Sequence, residues 1–310
     1  MSQLNRITFP RRAVGRSLSW AQREAIGGYL FAAPTIVGYV LFVLGPIVAA
    51  MFISCMEWNI LTPPKWIGLL NYDRLIADRR VTVVLGNSLK LAVSLIVLDV
   101  VVGLGLALLV NSRKEALLRY LSRTSFFFPV LISGAVVSVI WFYFLHYDFG
   151  VINYYLRKLG IPRIPWLISH VWAIPSVLLV SLWKGVGFSF VILLAGLQNI
   201  PPHLYEAASI DGAGPVARFR YVTLPMLTPT LFFLAVVGAI GGLQVFDIPT
   251  VLTQGGPGDA SRTIVMYIYY HGFQSLRLGY ASALAMILFA LILLLTAVQL
   301  RLSPRWVFYQ

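Results

Sequence analysis

The sequence predicts an all-α polytopic membrane protein with six transmembrane helices and a surface hairpin between the fourth and fifth. Three observations carry that expectation. Hydrophobic residues fill 59% of the 310 positions and charged residues only 11%, more apolar surface than a soluble core can hide. Uncharged apolar runs recur along the chain, several longer than a buried core helix needs. One polar stretch, 206–225 (EAASIDGAGPVARFRYVTLP), interrupts them with Gly and Pro punctuation.

Residues 1–28 read as a basic tail, with Arg6, Arg11, Arg12, Arg16 and Arg23 against a single acid, Glu24. A cleaved signal peptide fits poorly, because the tail is long and the apolar run after it exceeds an h-region. No charged residue lies between Ala25 and Met56, and the first span is placed at 29–54. Pro34 and Pro46 inside it are tolerable, since neighbouring helices can satisfy the freed carbonyls. A polar segment, 57–84, leads to a second span at 89–110 that contains Asp99. Arg113, Lys114, Arg119 and Arg123 mark a short basic loop. A third span, 124–145, carries no charge, and a fourth, 171–194, contains Lys184. The fifth, 226–245, is rich in glycine, and the sixth, 278–300, precedes a tail at 301–310. The apolar stretch 264–270 is too short to cross alone.

Charge supplies direction. The net charge of +13 is dispersed between apolar runs rather than gathered on one domain, which favours a membrane over nucleic acid as the partner. With six spans, the termini, the 111–123 loop and the hairpin share one side and hold 13 basic residues; the other side holds 9. The N-terminal cluster and the dense 111–123 loop lie close to span ends, so the positive-inside rule places both termini in the cytoplasm. Cys55 is the single cysteine, so no intrachain disulfide forms, and it reads as a small packing residue. His146, His170, His203 and His271 have no metal-ligand spacing.

The hairpin reads residue by residue. Pro201 and Pro202 favour a helix start, so 203–210 forms a short helix with Glu206 and Asp211 near its ends. Gly212 and Gly214 let the chain turn, and Pro215 opens a second helix with Phe219, Val222 and Leu224 as its apolar points. The spacing Glu206-Ala207-Ala208, Gly212, Val222-x-Leu224-Pro225 resembles the EAA signature of the membrane subunits of ATP-binding-cassette (ABC) importers. The fuller string EAASIDGAGP with TLP resembles the carbohydrate branch of that family. Gly68-Leu69-Leu70-Asn71-Tyr72, Phe246-Asp247-Ile248-Pro249 and Leu252-Thr253-Gln254-Gly255-Gly256-Pro257 are similar to elements of sugar permeases. The resemblance covers about 28–303.

That resemblance implies a multi-pass permease subunit in a bacterial or archaeal cytoplasmic membrane, importing a carbohydrate or related polyol. It implies a second homologous permease, two cytoplasmic ATPase subunits and an extracytoplasmic solute-binding protein as partners. The coupling loop would be 201–225, with Glu206, Ala207, Ala208, Asp211, Gly212, Leu224 and Pro225 docking on an ATPase subunit. ATP and Mg are expected on that partner and no cofactor on this chain. The residues agree: none of the five lysines is followed by Ser or Thr, which a Walker A loop requires. Neither H-E-x-x-H nor G-x-S-x-G occurs, which weakens a protease or lipase reading.

Candidate cavity residues come from the spans. On a helix, Ser181, Lys184, Gly185 and Phe188 share an arc of about 100°. A hydroxyl, a cation, a gap and a ring suit a sugar, while the bland alternative is a helix–helix seam. The seam fits Gly238 and Gly242 equally, although the resemblance implies that both helices line a central cavity. Gln244 is the nearest polar candidate on the fifth. Asp99 and Lys184, costly inside a bilayer, are functional candidates by default; Asp99 reads equally as a polar contact between helices. Proton coupling through Asp99 is the thread of a runner-up, a secondary transporter driven by an ion gradient.

Overall fold

The elements follow from caps and apolar runs. In the computed structural model, which describes residues 19–112 and 115–308, the chain divides after Ala50 into two units. The first holds α1 (Trp20–Tyr39), a π turn (Val40–Leu44) and the start of α2 (Gly45–Ser54). Ser19 and Gln22 close a capping box at its beginning, so the helix starts inside the expected tail, nine residues before the expected span. Most of that tail, with Arg6, Arg11, Arg12 and Arg16, lies outside the described residues, as do Arg113, Lys114 and the last two positions.

The second unit begins with the rest of α2 and two short strands, β1 (Met56–Glu57) and β2 (Lys65–Trp66), paired antiparallel. Then come α3 (Leu70–Ala77), α4 (Arg79–Asn111), α5 (Ala116–Phe127), α6 (Gly134–Leu145) and α7 (Val151–Lys158). They are followed by α8 (Ala173–Gln198), α9 (Pro202–Ile210), α10 (Pro215–Arg218) and α11 (Leu224–Leu243). Last are α12 (Asp247–Leu252), α13 (Ile264–Tyr269) and α14 (Leu278–Leu302). Among the described residues five helical stretches are long and apolar enough to cross a membrane, or six if one bent pair counts as a span.

That bent pair occupies the expected third span. The uncharged run 124–145 is not one helix: a 3-10 turn, Phe128–Leu131, separates α5 from α6, and the two halves meet at 98°. Pro129 ends α5 by removing a donor. The second span also differs from expectation, beginning at Arg79 rather than at 89. Asp78 caps it by accepting from the Arg80 amide at 2.9 Å, and at 1.5 Å per residue the helix is about 50 Å long. Its N-terminal half carries Asn87 and Ser88, which hold the 259–264 loop through the Asp259 and Arg262 carbonyls and the Ile264 amide.

Close contacts fix how the helices run. Gly185 of α8 lies beside Asp99 of α4, and Gly103 of α4 beside Ser189 and Phe190, so α4 and α8 are parallel. Gly238 and Gly242 of α11 meet Ile96 and Ala92, so α11 runs the other way. Gln299 of α14 donates to the Ala235 carbonyl, and the Phe308 amide to Thr228, which makes α14 antiparallel to α11. Hairpin α9–α10 therefore lies at one end of these four helices, and the starts of α4 and α14 lie at the other.

Polar hubs order that far end. Asn71 donates to the Ser54 and Met56 carbonyls, both at 2.9 Å, and Tyr72 bonds Ser54 at 2.8 Å. Asp78 accepts from Tyr267 at 2.6 Å and Tyr280 at 2.7 Å. Burial pushes the Asp78 carboxyl up, but the two phenol hydroxyls and the Arg80 amide outweigh it and hold the group below its usual range. A depressed carboxyl stabilises the fold above its unfolded pKa, about 3.9, and that contribution disappears as pH falls through the folded value. The thermal-stability gap between wild type and Asp78→Ala is therefore expected to be constant from pH 5 to 7 and to narrow progressively as pH falls below about 4. Melting curves from pH 7 down to pH 3 check it, and a gap as wide at pH 3 as at pH 6 contradicts it.

Candidate functional site

Two features qualify as functional, a cavity between the helices and the exposed hairpin. The cavity follows from small residues. Helices in lipid gain little from apolar contact alone, so glycine sets how close they approach. Along α11, a Cβ on Gly242 would stand 2.6 Å from the Ala92 Cα, and one on Gly238 3.0 Å from Ile96. Toward the hairpin end of α8, the Phe126 carbonyl fills the place of a Cβ on Gly187. Between these contacts a space of about 410 Å³ stays open, walled by α4, α8, α11 and the start of α12.

All seven cavity residues expected from the sequence line this space: Ser181, Lys184, Gly185, Phe188, Gly238, Gly242 and Gln244. They are not equivalent. A Cβ on Gly185 would meet only the Asp99 carboxylate oxygens, at 3.8 Å, so it is the gap in the face. Gly238 and Gly242 line the space while also forming the α4–α11 seam. Trp183 points away, packed edge-on against Trp141 of α6 at 5.8 Å.

Asp99 borders the same cavity, and its Oδ1 is buried without a hydrogen-bond partner, as is the Ser181 hydroxyl. Lys184 makes no ion pair among the described residues. Buried polar atoms left open are costly, and two of them, Asp99 Oδ1 and Ser181 Oγ, belong to residues lining one space. Sequence reasoning missed Asp247, which lines the cavity beside Gly134, its Oδ2 3.0 Å from where a Cβ on that glycine would stand. An acid in Phe246-Asp247-Ile248-Pro249, next to a glycine-rich span, was the available signal. Two carboxylates, an ammonium, hydroxyls and a ring can hold a polyhydroxylated molecule by hydrogen bonds.

The hairpin is built by its turn residues. Pro202 takes the first position of α9. Gly212, at φ +77°, ends it in the left-handed conformation that glycine adopts most easily. Ala213 N–H donates to the Ala208 carbonyl at 2.8 Å and Gly212 N–H to Ser209 at 3.1 Å, the two bonds of a Schellman cap. Tyr205 to Thr223 at 3.0 Å and Arg218 to Ser209 at 3.2 Å close the two arms. The second arm does not end at residue 225. From α10 it continues through a π turn, Phe219–Thr223, into α11, so Leu224 and Pro225 lie in the first turn of a membrane helix. Glu206, Ala207, Asp211 and Gly212 are exposed and Ala208 half-buried. Ile210 and Val216, 86% and 80% exposed, present bare apolar surface at the tip.

Residues 99–308 match the model of the binding-protein-dependent transport system inner membrane component. The chain belongs to that family. Its relatives agree along nearly the whole chain. It is 36% identical over 289 residues to the sulfoquinovosyl glycerol transport system permease protein SmoG of Agrobacterium fabrum, covering 91% of this chain and 93% of that one. It is 33% identical to the trehalose/maltose transport system permease protein MalF of Thermococcus litoralis, covering 91% and 95%. In structure it resembles a bacterial ABC transporter involved in the import of the acidic polysaccharide alginate, with a TM-score of 0.80, 26% identity and coverage of 91% and 96%. It is a multi-pass inner-membrane permease subunit of an ABC importer, and nothing in the family supports the ion-gradient alternative.

The permease geometry separates cavity face from seam. Leucine at Gly185 fills open space, so Gly185→Leu is expected to block transport while subunit assembly persists. Leucine at Gly242 collides with α4 backbone, so Gly242→Leu is expected to cost about 1–3 kcal/mol or more and to impair assembly. Uptake and assembly measured on the same preparations distinguish the two, and loss of assembly in Gly185→Leu would return that residue to packing.

Proposed function

We propose that this chain is one of two pore-forming subunits of an importer for a carbohydrate or related polyol, driven at its hairpin by an ATPase subunit. One geometric relation carries the reading. The hairpin joins α8 to α11, and these two helices are walls of the cavity. A displacement of α9 and α10 therefore moves both walls against α4, which can change the side from which the cavity opens. Such switching needs contacts that differ between two states, and Glu206, with the bare tip at Ile210 and Val216, offers a surface for an ATPase cleft.

Relatives support the substrate class, since their names give sulfoquinovosyl glycerol, trehalose/maltose and sn-glycerol-3-phosphate as cargo. The matched alginate transporter was also captured with an alginate pentasaccharide-bound periplasmic protein. By the same reading a solute-binding protein delivers cargo outside, a second permease completes the pore, and two ATPase subunits hold ATP and Mg. This chain is then non-catalytic, with both termini and the hairpin in the cytoplasm.

Coupling is tested at Glu206 and Gly212. Glu206→Lys reverses the charge on the docking helix, and Gly212→Val puts a β-branched residue into a left-handed turn. Both are expected to insert normally and to lower uptake in proteoliposomes with the partner subunits by about 5–150-fold, the usual span of coupling free energies. Wild-type uptake by both variants would sink the proposal.

A further inference from the structure

A second and larger cavity lies at the end opposite the hairpin and shares no lining residue with the first. It is a cup of about 1060 Å³ bounded by the 56–80 and 267–280 segments. We propose that this cup is a binding site for an anionic saccharide, a sugar carrying a carboxylate, sulfonate or phosphate group. The saccharide half rests on the carbohydrate reading above; the anionic half rests on the cup alone.

Charge is the first observation. Lys65, Arg74, Arg80 and Arg277 line the cup against two carboxylates, Glu57 and Asp78. Glu57 is taken by Arg74 at 3.0 Å, and Asp78 by the hydroxyls of Tyr267 and Tyr280. Lys65 and Arg277 are left without an ion pair among the described residues. The rim therefore presents an ammonium and a guanidinium with no counter-charge, and the planar guanidinium suits carboxylate, sulfonate or phosphate oxygens.

Backbone geometry and the floor supply the second and third. Leu276, immediately before Arg277, sits at φ +54°, a conformation uncommon for a bulky residue that marks positions the surrounding structure has fixed. The Arg277 amide is pinned to the His271 carbonyl at 2.7 Å. Below it, His271 is 7% exposed and neither ring nitrogen has a hydrogen-bond partner. Burial first, and the Arg277 charge second, hold its imidazole below the usual range, so a buried imidazole enclosed by the rings of Tyr267, Tyr270 and Tyr280 borders the positive cup without adding charge to it. The walls suit the rest of a sugar. Trp58 and Tyr270 supply aromatic surface, and Asn59, Thr62 and Ser275 supply neutral polar groups. Apolar surface with a few convergent polar groups is how small-molecule sites are built.

The test is calorimetric titration of the full chain, purified with its partner subunits, with sodium glucuronate, glucose and sodium sulfate at fixed ionic strength. Glucuronate is expected to bind at least tenfold more tightly than glucose or sulfate. The double variant Lys65→Gln, Arg277→Gln, both exposed positions, is expected to lose at least tenfold in glucuronate affinity with an unchanged melting temperature. Phe188→Ala, in the other cavity, is expected to leave that affinity unchanged. Equal binding of glucose and glucuronate, or full glucuronate affinity in the double variant, overturns the proposal. Sulfate binding as tightly as glucuronate, and lost in the double variant, overturns the saccharide half and identifies a plain anion site. That result is distinguishable from a failed charge argument.

Discussion

The close approach of α4 to α8 on one side and α11 on the other is the constraint on which the rest depends. Lipid provides no apolar driving force between helices, so packing and hydrogen bonds must hold them. Gly103 and Gly187 let the α4 and α5 backbones reach α8, and Gly242 lets α11 reach Ala92. Where those contacts stop, at Gly185 and Asp99, the helices cannot close and the cavity opens. The cavity is thus the complement of the seam, and the same helices supply both.

Both ends of the bundle inherit their roles from that arrangement. At the hairpin end, α8 and α11 are tied by a short polar link whose arms are locked by Tyr205–Thr223 and Arg218–Ser209. A rigid link transmits displacement, whereas a loose loop would absorb it. At the other end, Asn71 and Asp78 knit the start of α4 to the segments around β1 and α13. The two ends are joined by α4, which is long enough to pack against both and carries Asp99 between them.

Much of this was legible because its chemistry is local. The Pro-Pro start, Gly212 turn and Pro215 restart of the hairpin are turn chemistry, and the structure has each of them. The face Ser181, Lys184, Gly185, Phe188 follows from helical period alone and lines one space. What escaped was set by tertiary contact. Composition cannot show that 124–145 bends by 98°, because the bend is supported by α8 packing against the 3-10 turn. Nor does hydropathy show that α4 begins at Arg79, since two arginines look like a loop until Asp78 caps them. Glycines on α11 look alike in sequence, and only the neighbour across the gap tells the crowded Gly242 from Gly241, where an added Cβ would meet nothing across the gap within 4 Å.

That open position allows the most direct measurement. On a Cys55→Ser background, a cysteine at Gly241 reports access to the cavity by its rate of modification with a membrane-impermeant thiol reagent. With the ATPase partners present, adding ATP and vanadate should change that rate in otherwise wild-type protein and leave it unchanged in Glu206→Lys. An ATP-dependent change that survives Glu206→Lys at full size would show that the cavity is driven by some route other than the hairpin.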